Sequence, residues 1–590
     1  MFRKLLFILL FCHTLSVYAQ PDIVITGTVF KTLDKAVVLG GIVSLEGEQI
    51  FGETNEAGAF SLSISLQGEY ILRVEFKDYV TKRIPIFLDD TNVALGTIYL
   101  ETDLTIEKQD NLITLTDAEL LDDEGSASSL ALLQSTRDIF LNRAAFDFGQ
   151  AFFRVRGYDS QNGEVLLNGI PMNKLFDGRP QWNNWGGLND VIRNQEFTNG
   201  LEASAHTFGG ILGNTNIDLR PSGLRSGLRL SSSASNRTYT GRVMATYNSG
   251  VKKNGLAYMV SASRRWAKEG YIDGTLYDAY SFYAALEYQF NPKNSISLTA
   301  FSATNRRGRS SAITEEVYDL VGNRYNPYSG TQNREIRNSR ERRISEPMVL
   351  LNYFHDSEKW NLTMGLAFQT GNHARSRVGY YNAPNPDPSF YRYLPSFYIN
   401  SPIGANFVSA DRARTSFLND PQWNWQNIYT ANRSPSNNGK AAYVLYDDVI
   451  NDTQFTARVN GNYTINNRFK LDFGFTHKVL QSKNYALIAD LLGAEYHEDI
   501  DPFSDTRNNI DAEVNRGQGQ KFNYNYEFLG NHTDAFTQLN LDYNKWKGFL
   551  SGQYSVVSYQ RDGFFQNERF LENSLGKSEK VNFSNLSVKG

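Results

Sequence analysis

The segment Trp360–Gln369 places a large apolar residue at every even position (Trp360, Leu362, Met364, Leu366, Phe368) and a small or polar one at most odd positions. The same period of two recurs in Phe455–Thr464, where Phe455, Ala457, Val459 and Tyr463 alternate with Thr456, Arg458, Asn460 and Asn462. It returns in Phe469–Phe475 against Lys470, Asp472 and Gly474, and in Phe282–Phe290 against Glu287 and Gln289. Side chains of a strand point alternately to its two faces, so each segment reads as a strand with one apolar and one polar face. Strands of about ten residues with this pattern suit either a soluble sandwich or a transmembrane barrel.

Connector lengths decide between the two. Short links at Asn291-Pro292-Lys293, Asp356-Ser357, Asn466-Asn467 and Asn544-Lys545 alternate with long segments at 306–345, 371–452 and 481–533. An up-and-down membrane barrel has short turns on one side and long loops on the other, a rule that a sandwich has no reason to obey. Trp266, Tyr288, Trp360, Tyr463 and Trp546 fall at strand ends, where interfacial aromatics are expected. About twelve strands are expected from 223 to 590. A mean hydropathy of −0.43, with no second apolar run beyond the N-terminus, excludes a helical membrane protein but leaves a barrel open.

The N-terminus reads as an export signal over residues 1–19. Arg3 and Lys4 form its basic region, Leu5 to Cys12 its apolar stretch, and Val17-Tyr18-Ala19 its cleavage site. Cys12 is the sole cysteine, so the mature chain has neither a disulfide nor a cysteine metal site. A net charge of −4 excludes a basic nucleic-acid binder, and 33 Tyr with 38 Phe argue against disorder.

Residues 20–101 read as short strands between turns: 23–30, 41–45, 60–66, 70–76 and 82–87. Gly27-Thr28-Val29, the run Glu53 to Phe60, Gly68-Glu69-Tyr70 and Lys77-Asp78-Tyr79 resemble the carboxypeptidase-regulatory-like domain, a small β-sandwich. Residues 102–127 are polar and acidic and form a tether. A helix is expected over 128–142, with Leu130, Leu133 and Ile139 on one side.

Four blocks then follow in order. They are Phe152 to Tyr158 with Arg156-Gly157, Val165 to Pro171 with Asn168-Gly169, Asp190-Val191-Ile192-Arg193, and Phe208 to Ile217 with Gly209-Gly210. Together they resemble the plug domain of TonB-dependent outer-membrane receptors, assigned here to 128–222. Asn168 stands where that family usually has Asp, and Gly213-Asn214-Thr215 interrupts its glycine-rich pattern. The resemblance implies a mainly β chain with an N-terminal β-sandwich, an α+β plug and an antiparallel transmembrane β-barrel. It also implies a TonB-contacting box before the plug, for which Asn111 to Leu115 is the candidate, read by strand addition. Barrels of this class have about 22 strands, so some ten strands, roughly 250–350 residues, are expected beyond Gly590.

Within the long loops, Tyr391, Tyr393, Trp423 and Trp425 are candidates for stacking on a ligand; an aromatic core holding the loop together is the alternative. Glu495, His497, Glu498, Asp499, Asp501 and Asp505 crowd one stretch, either as a calcium site or as a solvated acidic loop, and the second reading is preferred, so no metal is expected. No nucleophile–base trio, phosphate-cradling loop or paired-carboxylate cleft is legible, so neither an enzyme nor a cofactor is expected. The resemblance implies an importer in the outer membrane of a Gram-negative bacterium, energised by TonB and its inner-membrane complex. It further implies an extracellular ligand (glycan, peptide or siderophore), contact with outer-membrane lipid, and a SusD-like surface lipoprotein as a possible partner. The alternative is a surface adhesin or scaffold without energised transport.

Overall fold

The computed structural model describes residues 23–31, 35–76, 79, 81–89, 91–100, 112–114, 157–236, 238–543 and 546–590. The export signal, the expected helix over 128–142, and Arg156 lie outside these residues. The chain divides into two compact units, Met1–Asp103 and Leu104–Gly590.

The first unit is built from two sheets. One has the order Ala59–Ile64, Ile23–Lys31, Val93–Leu100; the other has the order Phe51–Glu53, Ile42–Leu45, Gly68–Glu75, Lys82–Leu88. Ile25, Val29, Val43, Leu72, Val74 and Leu100 are fully enclosed in one core. Asn55 supplies the turn before the strand Ala59–Ile64, its Oδ1 accepting from the N–H groups of Ala57 (2.9 Å) and Ala59 (3.0 Å). The strand Val93–Leu100, parallel to Ile23–Lys31, is one that the sequence reading missed. Its alternation is blurred by Gly96 and Thr97.

The second unit holds one large antiparallel sheet of 14 strands. Two breaks reduce this to the expected twelve positions across. Glu341–Ser345 and Met348–Asp356 are one strand interrupted at Glu346-Pro347, because proline has no N–H to donate to the ladder. Register is unchanged across the break: Ser345 faces Asn372 and Met348 faces Gln369. Gly576–Lys577 and Val581–Lys589 likewise share one neighbour, Trp546–Gly563. Hairpins close tightly at Asn291↔Asn294, Asn466↔Phe469 and Tyr543↔Trp546. The strands on the long-loop side run further than expected, with Trp360–Tyr380 paired to Tyr443–Asn466 along its whole length. The irregular loops are correspondingly shorter, chiefly 381–442 and 491–520. Polar residues hid these extensions, since above a lipid belt neither face of a strand needs to be apolar.

The sheet's two faces differ sharply. Phe282 (58%), Leu286 (47%), Met364 (42%), Leu366 (45%) and Phe368 (46%) stand exposed on one face. Ser281, Glu287, Ser297, Asn352, Arg458 and Asp472 are buried on the other. A soluble sheet turns its apolar face inward, so this inverted arrangement suits a hydrocarbon surround. Tyr280 and Tyr288 bound the apolar stretch of one strand, about 27 Å apart at the usual rise, near the height of an outer-membrane apolar band.

A five-stranded sheet sits against the polar face, with the order Ile170–Pro171, Glu164–Leu167, Asn214–Asp218, Asn194–Thr198, Leu112–Thr114. Val165, Leu167, Trp185, Leu188 and Ile217 from this domain share a core with Met259, Tyr283, Phe301 and Leu350 of the large sheet. Twelve strands laid flat would span about 53 Å. The described domain of residues 157–222, roughly 28 Å across for its length, nevertheless touches strands near both ends. Asn248 donates to Pro221 O (2.8 Å) and Lys589 to Glu202 O (3.1 Å). The large sheet therefore curls around the small domain as a partial β-barrel around a plug, the fold that the sequence motifs imply. The barrel is open: Gly227–Ala234 pairs only with Gly241–Asn248, and Val581–Lys589 only with Trp546–Gly563, among the described residues.

Candidate functional site: the plug, the lumen and the outer loops

Asn168 and Gly169 both take positive φ (49° and 79°) between the paired residues Leu167 and Ile170. Two successive left-handed residues define the tight hairpin turn that Asn-Gly favours. Asn168 also does work that a carboxylate could not do: its Oδ1 accepts from Leu219 N–H (2.8 Å) while its amide faces Asn352 Oδ1 (3.5 Å). At Gly210 the backbone passes close to other backbone, since a Cβ there would lie 2.1 Å from Asn162 O. Gly209 and Gly157 have positive φ (73° and 80°), and the space beside Gly157 is open.

A buried charge cluster on the lumen wall went unseen in the sequence. Lys174 of the plug pairs with Glu346 and with Asp452 (2.9 Å), and these two carboxylates come from different wall strands. Glu346 also accepts from Asn184 (2.7 Å) and Gln369 (3.2 Å). The ladder break at Pro347 is what places Glu346 there. Around this cluster, plug carbonyls receive wall donors: Lys478 to Asn173 O (3.1 Å), Gln538 to Ser204 O (3.2 Å) and Arg458 to His206 O. Sequence shows charged residues at polar-face positions, but pairing partners 172 and 278 residues apart leave no local signal.

Three residues of the candidate TonB-contacting stretch, Leu112–Thr114, form an edge strand antiparallel to Asn194–Thr198, with Leu112 opposite Glu196 and Thr114 opposite Asn194. Asn111 and Leu115 lie outside the described residues.

In the outer loops the four aromatic candidates separate into two pairs. Trp425 is fully enclosed and Trp423 is 5% exposed, packed with Ile428, Tyr443 and Leu492. The Trp425 indole donates to Arg337 O (3.3 Å), and the Arg337 guanidinium lies 4.2 Å from its ring. Trp423 and Trp425 thus form the aromatic core of the loop, the alternative that the sequence left open for them, because two indoles offer it its largest burial. Tyr391 and Tyr393 remain at the surface, 53% and 37% exposed, edge-on to Phe390 at 4.8 Å and 5.4 Å.

The acidic stretch is occupied by its own loop. Asp499 accepts from Asn508 (2.9 Å) and from Asn523 N–H (2.9 Å) and faces Arg516 (3.3 Å), while Glu498 pairs with Lys440. Asp501 caps Phe503 N–H (2.7 Å). His497 packs between Tyr381 (ring centroids 4.6 Å apart, tilted) and Phe522 (5.0 Å, edge-on). Burial pushes its imidazole down from 6.5 to about 4, against the opposing pull of Asp499. The ring is thus neutral in the folded loop yet protonated in an unfolded one between those values. Loop stability should fall as pH drops from about 6.5 towards 4, by on the order of 3 kcal/mol at the lower limit. Protease cleavage within 491–520 should rise across that window, and His497→Phe should flatten the profile. A wild-type profile already flat in pH would refute this.

The geometry defines a class: a folded plug tied by hydrogen bonds and ion pairs inside a wall whose outer face is apolar, below a cap of structured loops. No family model matches the chain, and no curated protein matches it. Among solved structures, the open form of the ferric-catecholate import receptor Fiu from E. coli K12 aligns with TM-score 0.48 and 11% identity, over 81% of this chain and 65% of that one. The copper transporter OprC aligns with TM-score 0.43 and 11% identity, over 74% and 52%. The unliganded ferric citrate transporter FecA aligns with TM-score 0.44 and 9% identity, over 72% and 51%. The chain spans about half the length of the first solved structures that it matches.

Proposed function

We propose that this chain is a TonB-dependent outer-membrane receptor that binds a ligand at the cell surface and imports it past the plug with inner-membrane energy. The observation that carries this reading is the plug itself, seated against an inverted sheet by Lys174, Lys478, Gln538 and Lys589. A surface anchor or adhesin needs only the wall and the loops; a domain filling the lumen serves a protein whose passage opens on demand. The four plug motifs of the sequence point the same way.

In this reading the signal at 1–19 exports the chain, and the sandwich at 20–101 is a carboxypeptidase-regulatory-like docking module of the Bacteroidetes type. The tether at 102–127 is where TonB engages. The strand Leu112–Thr114 suits that role because an edge strand held by three residue pairs can be peeled from its sheet and offered to a partner's. Tyr391 and Tyr393 are proposed ligand contacts in the outer loops, and a SusD-like lipoprotein is a candidate lid above them.

Deleting 102–127 tests the proposal. Uptake of the ligand should be abolished while surface binding persists, since the puller loses its handle and the loops are untouched. Uptake that survives the deletion, or survives in cells without TonB, would favour the adhesin.

A further inference from the structure

Three arginines stand directly opposite one another on adjacent wall strands: Arg307 faces Arg342, and Arg342 faces Arg375. Directly opposed residues have Cβ atoms about 5 Å apart, and like charges so placed repel. The row lies above the apolar belt on the loop side, where the outward residues change from Leu366 and Phe368 to Asn372. It faces the lumen, in phase with buried Asn305, Ile344 and His373.

No member of the row is held in an ion pair: among the described residues, no carboxylate lies within ion-pair distance of Arg307, Arg342 or Arg375. The neighbouring outward row is an internal contrast: Arg306 faces Arg343 in the same ladder, yet Arg306 has Glu341 (2.8 Å) and Arg343 has Asp447. Asp448, which is opposite Arg375, is held instead by Arg377 (2.6 Å) and by the Tyr524 hydroxyl (2.8 Å). The inner guanidiniums converge on one imidazole: Arg342 and Arg375 both donate to Nε2 of His373, at 2.8 Å and 3.2 Å. A nitrogen accepting two N–H groups carries no proton, so the His373 ring is the neutral imidazole: it adds no further positive charge and supplies no counter-charge, and it orients the pair. From the plug, Gln181 Oε1 approaches Arg342 at 3.5 Å.

We propose that this lumenal row is a binding site for a small multiply charged anion bearing carboxylate or phosphate groups, held above the plug by the forks of Arg307, Arg342 and Arg375. Planar guanidiniums recognise both oxyanions in pairs of parallel hydrogen bonds, and three in a row match a ligand with several such groups. Repulsion among the three opposed arginines is relieved when an anion binds between them, which favours binding over packing as the reason for the row. The inference rests on the reading of the lumen as a ligand passage and names the chemistry of what passes.

The test uses the purified full chain in detergent, titrated calorimetrically with citrate, pyrophosphate and, as a neutral control, maltohexaose. Citrate or pyrophosphate should bind at least about tenfold more tightly than the sugar, and less tightly at high salt. Arg342→Gln and Arg375→Gln should each weaken it by about tenfold, while Arg306→Gln on the outer row leaves it unchanged. A preference for citrate marks a carboxylate ligand, and one for pyrophosphate a phosphate ligand. Without anion, the thermal midpoint of Arg342→Gln should equal or exceed that of the parent. Neither anion outbinding the sugar, or a lowered midpoint with anion binding intact, overturns the proposal. Binding needs no TonB, so anion binding with uptake unaffected by loss of the tether would sink the transport reading and spare this one.

Discussion

Lys174→Met should unseat the plug. The side chain is buried to 9% exposure between Glu346 (0%) and Asp452 (3%), and its removal leaves two carboxylates enclosed without a cation. Breaking a buried ion pair from one side costs about 3–5 kcal/mol, more than replacing all partners together with apolar residues. Methionine keeps most of the lysine's volume, so the loss reports charge and not a cavity. Cells carrying the variant should admit large antibiotics that the parent excludes, and limited proteolysis should cut within 157–222. The triple variant Lys174→Met, Glu346→Gln, Asp452→Asn should recover much of the loss, because no uncompensated charge remains. A single variant as tight and protease-resistant as the parent would show that the cluster does not hold the plug.

Leu366→Arg should block stable insertion. Leu366 is 45% exposed on the apolar face, six residues along its strand from Trp360, near the middle of the belt. An arginine at the midplane of a barrel's lipid face costs about 2–4 kcal/mol, falling towards 0–1 at the interfaces. Asn372→Arg, in the same strand and on the same face but beyond the belt, should therefore be nearly silent. The measurement is the unfolding free energy in phospholipid vesicles, with heat-modifiable migration as the check in cells. Equal effects at both positions would mean that this face meets no hydrocarbon.

The strands of the wall were legible because a period of two with one apolar face needs only neighbouring residues to be recognised. The short turns were legible for a similar local reason, as was Asn168-Gly169, whose backbone preferences mark a hairpin wherever they fall. The strand Val93–Leu100 was missed where glycine and threonine broke the alternation, and the long strands were cut short where their outer halves leave the lipid belt and lose their apolar face. Tyr391, Tyr393, Trp423 and Trp425 looked alike in the sequence, since ring content carries no information on burial. The fold of the loop enclosed the two indoles and left the two phenols at the surface.

The sequence by itself determined the inverted wall, its alternating turns and the order of its segments, all of which follow from short-range periodicity and backbone preference. Tertiary structure alone decided which charges meet. Lys174 finds Glu346 and Asp452, and Arg307 comes to face Arg342 and Arg375, only through strand register and the curl of the wall around the plug. Electrostatic partnership depends on distance in space, and the intervals of 172 and 278 residues that separate Lys174 from its partners leave nothing in the local pattern for that distance to be read from.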